Sequence, residues 1–432
     1  MTKYIKSAEG FPSQLHLWDP QPTQAAIVET KWVDVYPSNS LEHSDEINFT
    51  IPSMESFMLE SVKIFTELRV LTATGTDPAA EQNVSTAPHL AASLWRNVEV
   101  EVGGVPLVQS YENSYGMFKF WDDVIHNNHS SRPLLMKREG LNLDSVGDKS
   151  GSENLVFFPT TGSPKNKNGQ ERAQVIEEGK KVYLRSDFNI PLFKQGKLLP
   201  SEVTYHVKLT KNDSGFILLA ADTNTDEVHF QKVILRCTFQ RPRDTIISAI
   251  ERKLVNERAI YHADKKIMTT FPVPTDTTNI QIDNLLNGPL PYFFLVCVQD
   301  RNALIGNKRS KNPFSLRLVK KAQLYVNGKE HFPRALEMTD HLETNMLAQF
   351  IQEIGNRGDS LVCHHYRVYP ALAFDLTQDK TQNQRGLNLG RNGNVSLTLE
   401  MLRKPTEDLV VIVLAWYEQI IEVNKNRQFF VV

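Results

Sequence analysis

The sequence predicts an all-β chain built of two antiparallel sandwiches in tandem, with a few short helices and long surface loops. Three observations carry that reading. Period-two apolar runs of strand length dominate, helical periodicity is scarce, and the order of elements in the first half returns in the second. A period of two sends successive side chains to opposite faces of a sheet, so each run marks a strand with one face in a core.

In chain order, "EINFTIP" (46–52), "VEVEV" (98–102), "VTYHVKL" (203–209), "VILRCTF" (233–239), "AQLYV" (322–326) and "VSLTLEM" (395–401) alternate or nearly so. Each has about five to seven residues, the usual length of a strand. Two runs, Tyr292–Val298 and Leu409–Trp416, are apolar throughout and are expected to be strands covered on both faces. The strongest helical pattern is "TDHLETNMLAQFIQEIGN" (339–356), where Leu342, Met346, Leu347, Phe350, Ile351 and Ile354 share one stripe between a Thr-Asp start and a Gly-Asn stop. Polar insertions at 75–88, 140–175 and 377–394 are long for a compact β-domain and read as functional surface or disorder.

The second half echoes the first. "SLWRNVEVEVGG" (93–104) resembles "LRLVKKAQLYVNG" (316–328), with Val100 on Leu324, Val102 on Val326 and Gly104 on Gly328. "YENSYGMFKFWDDVIHN" (111–127) then matches the helix pattern at 342–356. "VTYHVKL" stands to "VSLTLEM", and an apolar strand follows each, "SGFILLA" after one and "EDLVVIVLAW" after the other. The expected division is an N-terminal arm at 1–29, a first sandwich at 30–243, a connecting segment at 244–261, a second sandwich at 262–426 and a C-terminal tail at 427–432. The connecting segment carries Ile246, Ile247, Ile250 and Leu254 at helical spacing.

Composition narrows the classes of function. With 48 Lys and Arg against 50 Asp and Glu, the formal charge is -2, so nothing draws the whole chain to nucleic acid. Cys237, Cys297 and Cys363 lie far apart in apolar contexts, where cysteine acts as a small hydrophobe; no disulfide framework or zinc spacing is present. The N-terminus has no signal-peptide stretch, and "LVVIVLAW" (409–416) is too short to span a bilayer. The reading is a soluble chain, made inside the cell and not secreted.

The most specific stretch is "LLNGPLPYFFLVCVQDRNALIGNKRSKNPFSLRLVKKAQLYVNGKE" (285–330). Gly288, Pro289 and Pro291 break the chain before an apolar strand, Asn312, Pro313 and Phe314 precede the next, and Asn327-Gly328 fits a tight hairpin. This pattern is similar to the major capsid proteins of Polinton (Maverick) elements and adintovirus-like viruses. "LHLWDPQPTQAAIVETKWVDVYP" (15–37) and "INFTIP" (47–52) resemble the same family, so the likeness runs from about Leu15 to Leu336. It implies a double jelly-roll of two eight-stranded sandwiches, a homotrimeric pseudo-hexameric capsomer and an icosahedral shell within a virion made in the host cytoplasm or nucleus. It also implies a penton or minor capsid protein as partner, with encapsidated DNA touched only indirectly. Trp18, Pro20 and Pro22, in the proline-flanked arm, are the candidate contact with another subunit.

No residue pattern builds an active site, a metal site or a cofactor site. There is no P-loop, dinucleotide glycine pattern, HExxH or G-x-S-x-G, so no enzymatic activity and no cofactor are expected. Cys363, His364 and His365 would point to opposite faces if they lay on a strand, and "HNNHSS" (126–131) follows a helix end. Asp122 and Asp123 are adjacent on a helix and read as solvated surface. The basic "GNKRSKNP" (306–313) lacks interleaved aromatics and reads as a solvated loop. Two other classes compete: a carbohydrate-binding or carbohydrate-active β-sandwich, which needs carboxylates converging on an aromatic groove, and a minor vertex or attachment protein, for which one jelly-roll suffices.

Overall fold

The computed structural model describes residues 23–42, 44–110, 113–145, 155–338, 344–355, 360–380 and 387–432. Among the described residues, the two large sheets of the first half are formed by eight strands: β1 Ile27–Val35, β2 Glu46–Ile51, β3 Met58–Leu71, β4 Trp95–Val102, β5 Val105–Gln109, β6 Val182–Asp187, β7 Tyr205–Lys211 and β8 Glu227–Pro242. Eight more form the second: β9 Ala259–Val273, β10 Asn279–Pro289, β11 Phe293–Asp300, β12 Val319–Val326, β13 Lys329–Glu330, β14 Leu372–Asp375, β15 Asn392–Met401 and β16 Leu409–Val423. The main helices are α1 Ser114–His126, α2 Arg132–Glu139, α3 Lys167–Ile176, α4 Asp244–Asn256 and α5 Thr344–Glu353.

The sheets repeat one winding. The first half stacks β1-β8-β3-β6 against β2-β7-β4-β5, and the second stacks β9-β16-β11-β14 against β10-β15-β12-β13. Each half therefore has strand orders 1-8-3-6 and 2-7-4-5, all antiparallel, which is the jelly-roll winding. The helix α4 joins them. In both halves a helix follows the fifth strand, α1 in one and α5 in the other.

Burial follows the alternation. In β2 only Ile47, Phe49 and Ile51 are buried, the inward residues of a strand with one wet face. By contrast, β11 is buried at all eight positions, as are the first eight of β16, and these strands pair from Phe293↔Trp416 to Asp300↔Leu409. One face of this pair looks into the second sandwich. The helices α1 and α5 supply the rest of the cover, through Met117, Phe118, Trp121, Met346 and Phe350 in the same core. The Phe118 ring meets Trp416 edge-on at 4.9 Å.

The two cores trade residues. Phe118, Phe120, Trp121 and Phe216 from the first half belong to the second core, and Tyr261, Ala263, Ile421, Val423 and Phe429 from the second half belong to the first. Two expectations change accordingly. Within 427–432, expected as a tail, Phe429–Val431 pair with β16 from Ile421 to Val423 and bury Phe429. "SGFILLA", expected as an apolar strand after "VTYHVKL", is not a strand of its roll. It makes a short helix, Ser214–Ile217, and a two-residue bridge to Ser85–Thr86, while the eighth strand is β8. Its apolar residues serve both cores: Ile217, Leu218 and Ala220 are buried in the first, while Phe216 reaches the second and meets Phe314 edge-on at 5.8 Å.

Candidate functional site: the junction between the rolls

Of the 285–330 block, Asn312 and Phe314 lie where the two halves meet, while Gly288, Pro289, Pro291 and the Asn327-Gly328 turn shape the second roll itself. Gly288 adopts φ +97° and faces Gly393 in the β10–β15 ladder, a conformation that favours glycine. Pro289 ends β10 and Pro291 lies in the connector to β11, where the chain changes sheet and no ladder donor is required. Asn327 and Gly328 both have positive φ, 52° and 74°, between paired Val326 and Lys329. That is the geometry of a two-residue hairpin turn. Asn327 Oδ1 also accepts from the Asn394 amide at 2.9 Å.

Asn312 joins the halves. Its Oδ1 accepts from the Phe314 amide at 2.9 Å, and its Nδ2 donates to Asp144 Oδ2 at 2.6 Å. Asp144 Oδ1 accepts from Arg172 Nη2 at 2.6 Å and from Asn166 Nδ2 at 2.9 Å. Its amide donates to Tyr369 Oη at 3.1 Å. Burial pushes the Asp144 carboxyl up, but Arg172 and the amides of Asn166 and Asn312 hold it below its ordinary value. Pro313 accepts from the Gln299 side chain. Phe314 is fully enclosed, stacked on Phe120 at 4.4 Å and 6°. Asn312 and Phe314 therefore lock the second roll to Asp144, Asn166 and Arg172 of the first half. Trp18, Pro20 and Pro22 lie outside the described residues.

Beside this lock lies a cleft of about 530 Å³ between α1 and the end of β6 on one side and β9, β11 and β16 on the other. Asp122 and Asp123, expected at the surface, are both tied into it because α1 is covered by the second roll. Asp122 Oδ2 accepts from Lys266 Nζ at 2.6 Å and from Asn189 Nδ2 at 2.9 Å. Asn189 Oδ1 accepts from Lys194 Nζ at 2.8 Å and from Lys266 Nζ at 3.4 Å. Asp123 takes Lys119 Nζ at 2.8 Å and His89 Nε2 at 2.8 Å, and Lys119 reaches Glu139 at 2.8 Å as well. Burial would push the Lys119 ammonium down, but Asp123 and Glu139 hold it above its ordinary value. His89, Asp123 and Glu139 stand close enough to ligate a cation. The Lys119 ammonium already fills that place.

The other polar stretches are brought together as well. His129 and His364 face each other at 4.6 Å, joining "HNNHSS" to "CHHY". Cys363–His365 form a single 3-10 turn rather than part of a strand, and Cys363 Sγ lies 3.0 Å from Ser360 Oγ. The basic loop is spent on local pairs: Lys311 with Glu407 at 3.3 Å, Lys308 with Glu407 at 3.8 Å, and Arg309 with Asn224 at 2.9 Å. Sequence reasoning missed Asp144–Arg172 and Asp122–Lys266. Only the Lys119–Asp123 spacing of four on one helix offered a signal.

Among the described residues, an aromatic face is exposed on the first roll. On the outer side of β1-β8-β3-β6, Trp32 is 71% exposed and Tyr183 64% exposed. Phe65 lies between the guanidinium groups of Arg185 and Arg236, at 5.1 and 4.6 Å from its centroid. Trp32 sits on β1, an edge of the sheet.

Two jelly-rolls of identical winding, joined by one helix and cross-braced by shared cores, define a double jelly-roll chain. Its fold is similar to a chain in the 3.5 Å cryo-EM structure of the Sputnik virophage, with TM-score 0.66 and 13% identity, covering 99% of this chain and 93% of that one. It is also similar to the mavirus major capsid protein, with TM-score 0.57 and 10% identity over 100% and 96% of the two chains. The Faustovirus major capsid protein matches with TM-score 0.58 and 9% identity over 94% and 93%. Protein-family models and curated proteins give no match.

Proposed function

We propose that the chain is a structural major capsid protein that forms trimeric, pseudo-hexameric capsomers and through them an icosahedral shell. One observation carries this: the duplicated winding runs from Ile27 to Val423, and the chain matches virion capsid chains nearly end to end in both directions. Two similar lobes per subunit become six in a threefold ring, which suits a hexagonal lattice site from one gene product. The resemblance of the 285–330 and 15–37 segments supports affiliation with Polinton-type elements. On this reading the chain acts without catalysis, resides in the virion after synthesis in the host cytoplasm or nucleus, and meets a penton or minor capsid protein at the vertices. The arm at 1–29 and the exposed Trp32–Phe65–Tyr183 face are its contacts with neighbouring copies. Trp, Tyr and Arg are the residue types that anchor protein interfaces.

Cryo-electron microscopy of the expressed full chain tests the proposal. Threefold particles of near-hexagonal outline, alone or in shells, are the expected result. A field of single 49.2 kDa protomers at high concentration would overturn it.

A further inference from the structure

We propose that Lys266 and Asn189 join in an isopeptide bond that links the two rolls covalently, with Asp122 carrying the protons. Three elements converge to make the site: β9 of the second roll brings Lys266, the segment after β6 of the first brings Asn189, and α1 brings Asp122. An ion pair needs only Lys266 and Asp122. Here the carboxylate also holds the amide nitrogen that would leave, at 2.9 Å, while the Lys266 amine stands 3.4 Å from the oxygen of the same amide. A second cation, Lys194, donates to that oxygen at 2.8 Å, where negative charge would develop during attack. The site is largely buried, at the wall of the cleft of about 530 Å³. Asn189 is 3% exposed, the Lys266 side chain is 14% exposed, and the Phe118 ring lies 5.9 Å from the Lys266 ammonium.

The chemistry balances without an outside reagent. Asp122 takes a proton from the Lys266 ammonium, and the freed amine attacks Cγ of Asn189. The carbonyl electrons move onto Oδ1, beside Lys194. When the carbonyl re-forms, the Cγ–Nδ2 bond breaks. The two protons lost from Lys266 Nζ end on the departing nitrogen, which exits as ammonium. No oxidation state changes. Asp122 Oδ2, 2.6 Å from Lys266 Nζ and 2.9 Å from Asn189 Nδ2, is placed to pass the proton from the one nitrogen to the other. The bond would close the chain between positions 189 and 266 and constrain the unfolded state as a disulfide does. It would do so in a protein whose three cysteines form no disulfide.

Intact-mass measurement of the folded full chain, followed by peptide mapping, decides the matter. The expected wild-type mass is one ammonia below that of the sequence, with a branched proteolytic fragment containing both Asn189 and Lys266. K266R keeps the charge without the nucleophile and should stay at full mass, as should N189A; D122N should slow the loss. A wild-type chain that keeps its full mass after prolonged incubation overturns the proposal, whatever the variants do. So does an ammonia loss that maps to a succinimide or to Lys194.

Discussion

Phe314 is enclosed on all sides, stacked on Phe120 and edge-on to Phe216. Phe314→Ala removes a ring from a site braced by both halves and should cost about 3–5 kcal/mol, read as a lower midpoint in urea. Asp144 acts through charge instead. Asp144→Ala leaves the Arg172 guanidinium buried without its carboxylate, an expected loss of about 3–5 kcal/mol. Because the folded Asp144 carboxyl sits below its ordinary 3.8, the stability it supplies is present above that value and drains away as pH falls through the folded value. The advantage of wild type over Asp144→Asn should therefore shrink on acidification below 3.8, followed by urea titration across pH. The resemblance singled out Asn312 and Phe314 from the sequence. It did not show that Asn312 bonds Asp144, because that partner lies 168 positions away in a polar insertion with no pattern of its own.

At the scale of elements, strands in the sequence were easier to find than what covers them. The unbroken apolar runs of β11 and β16 announced burial on two faces, since a half-wet strand must alternate. That α1 would close over them was not legible, because an amphipathic helix does not say which sheet it meets. "SGFILLA" misled for a related reason: a fully buried apolar run reads as a strand even where its first residues turn as a short helix. The turn at 360–369 shows the same seam loaded with charge. Leu361 and Val362 donate to Asn127 and Val124 at 2.8 and 3.1 Å, clamping this turn on the end of α1. Within it, burial, together with Arg132, His129 and His364, holds the His365 imidazole below its ordinary 6.5, although the Asp144 carbonyl pulls it up. The unfolded state then takes up a proton first. Stability complete above 6.5 should fall as pH drops from there through the folded value. Amide exchange across 360–369 should quicken below 6.5 in wild type, and less so in His365→Gln. Equal acid sensitivity in both would rule out His365 as the cause.

At the scale of the whole molecule, duplication was legible from order alone: strand, glycine turn, helix and a later alternating strand recurred, and both rolls wind identically, although "SGFILLA" is not the counterpart of "EDLVVIVLAW". The shared cores were not, because each half reads as self-contained until Tyr261 and Phe429 are seen in the other's interior. Assembly depends on surfaces that contribute little to folding. Trp32→Glu should leave monomer stability within about 0.5 kcal/mol, as for other exposed positions. If its face joins copies, the same change should weaken the trimer by about 2 kcal/mol or more, seen as dissociation on dilution. The most direct measurement is the solution mass of the purified chain by light scattering coupled to size exclusion. A closed ring of three 49.2 kDa subunits weighs 3 × 49.2, about 148 kDa, and the capsomer account predicts that value. A monomeric mass that does not change with concentration would contradict it.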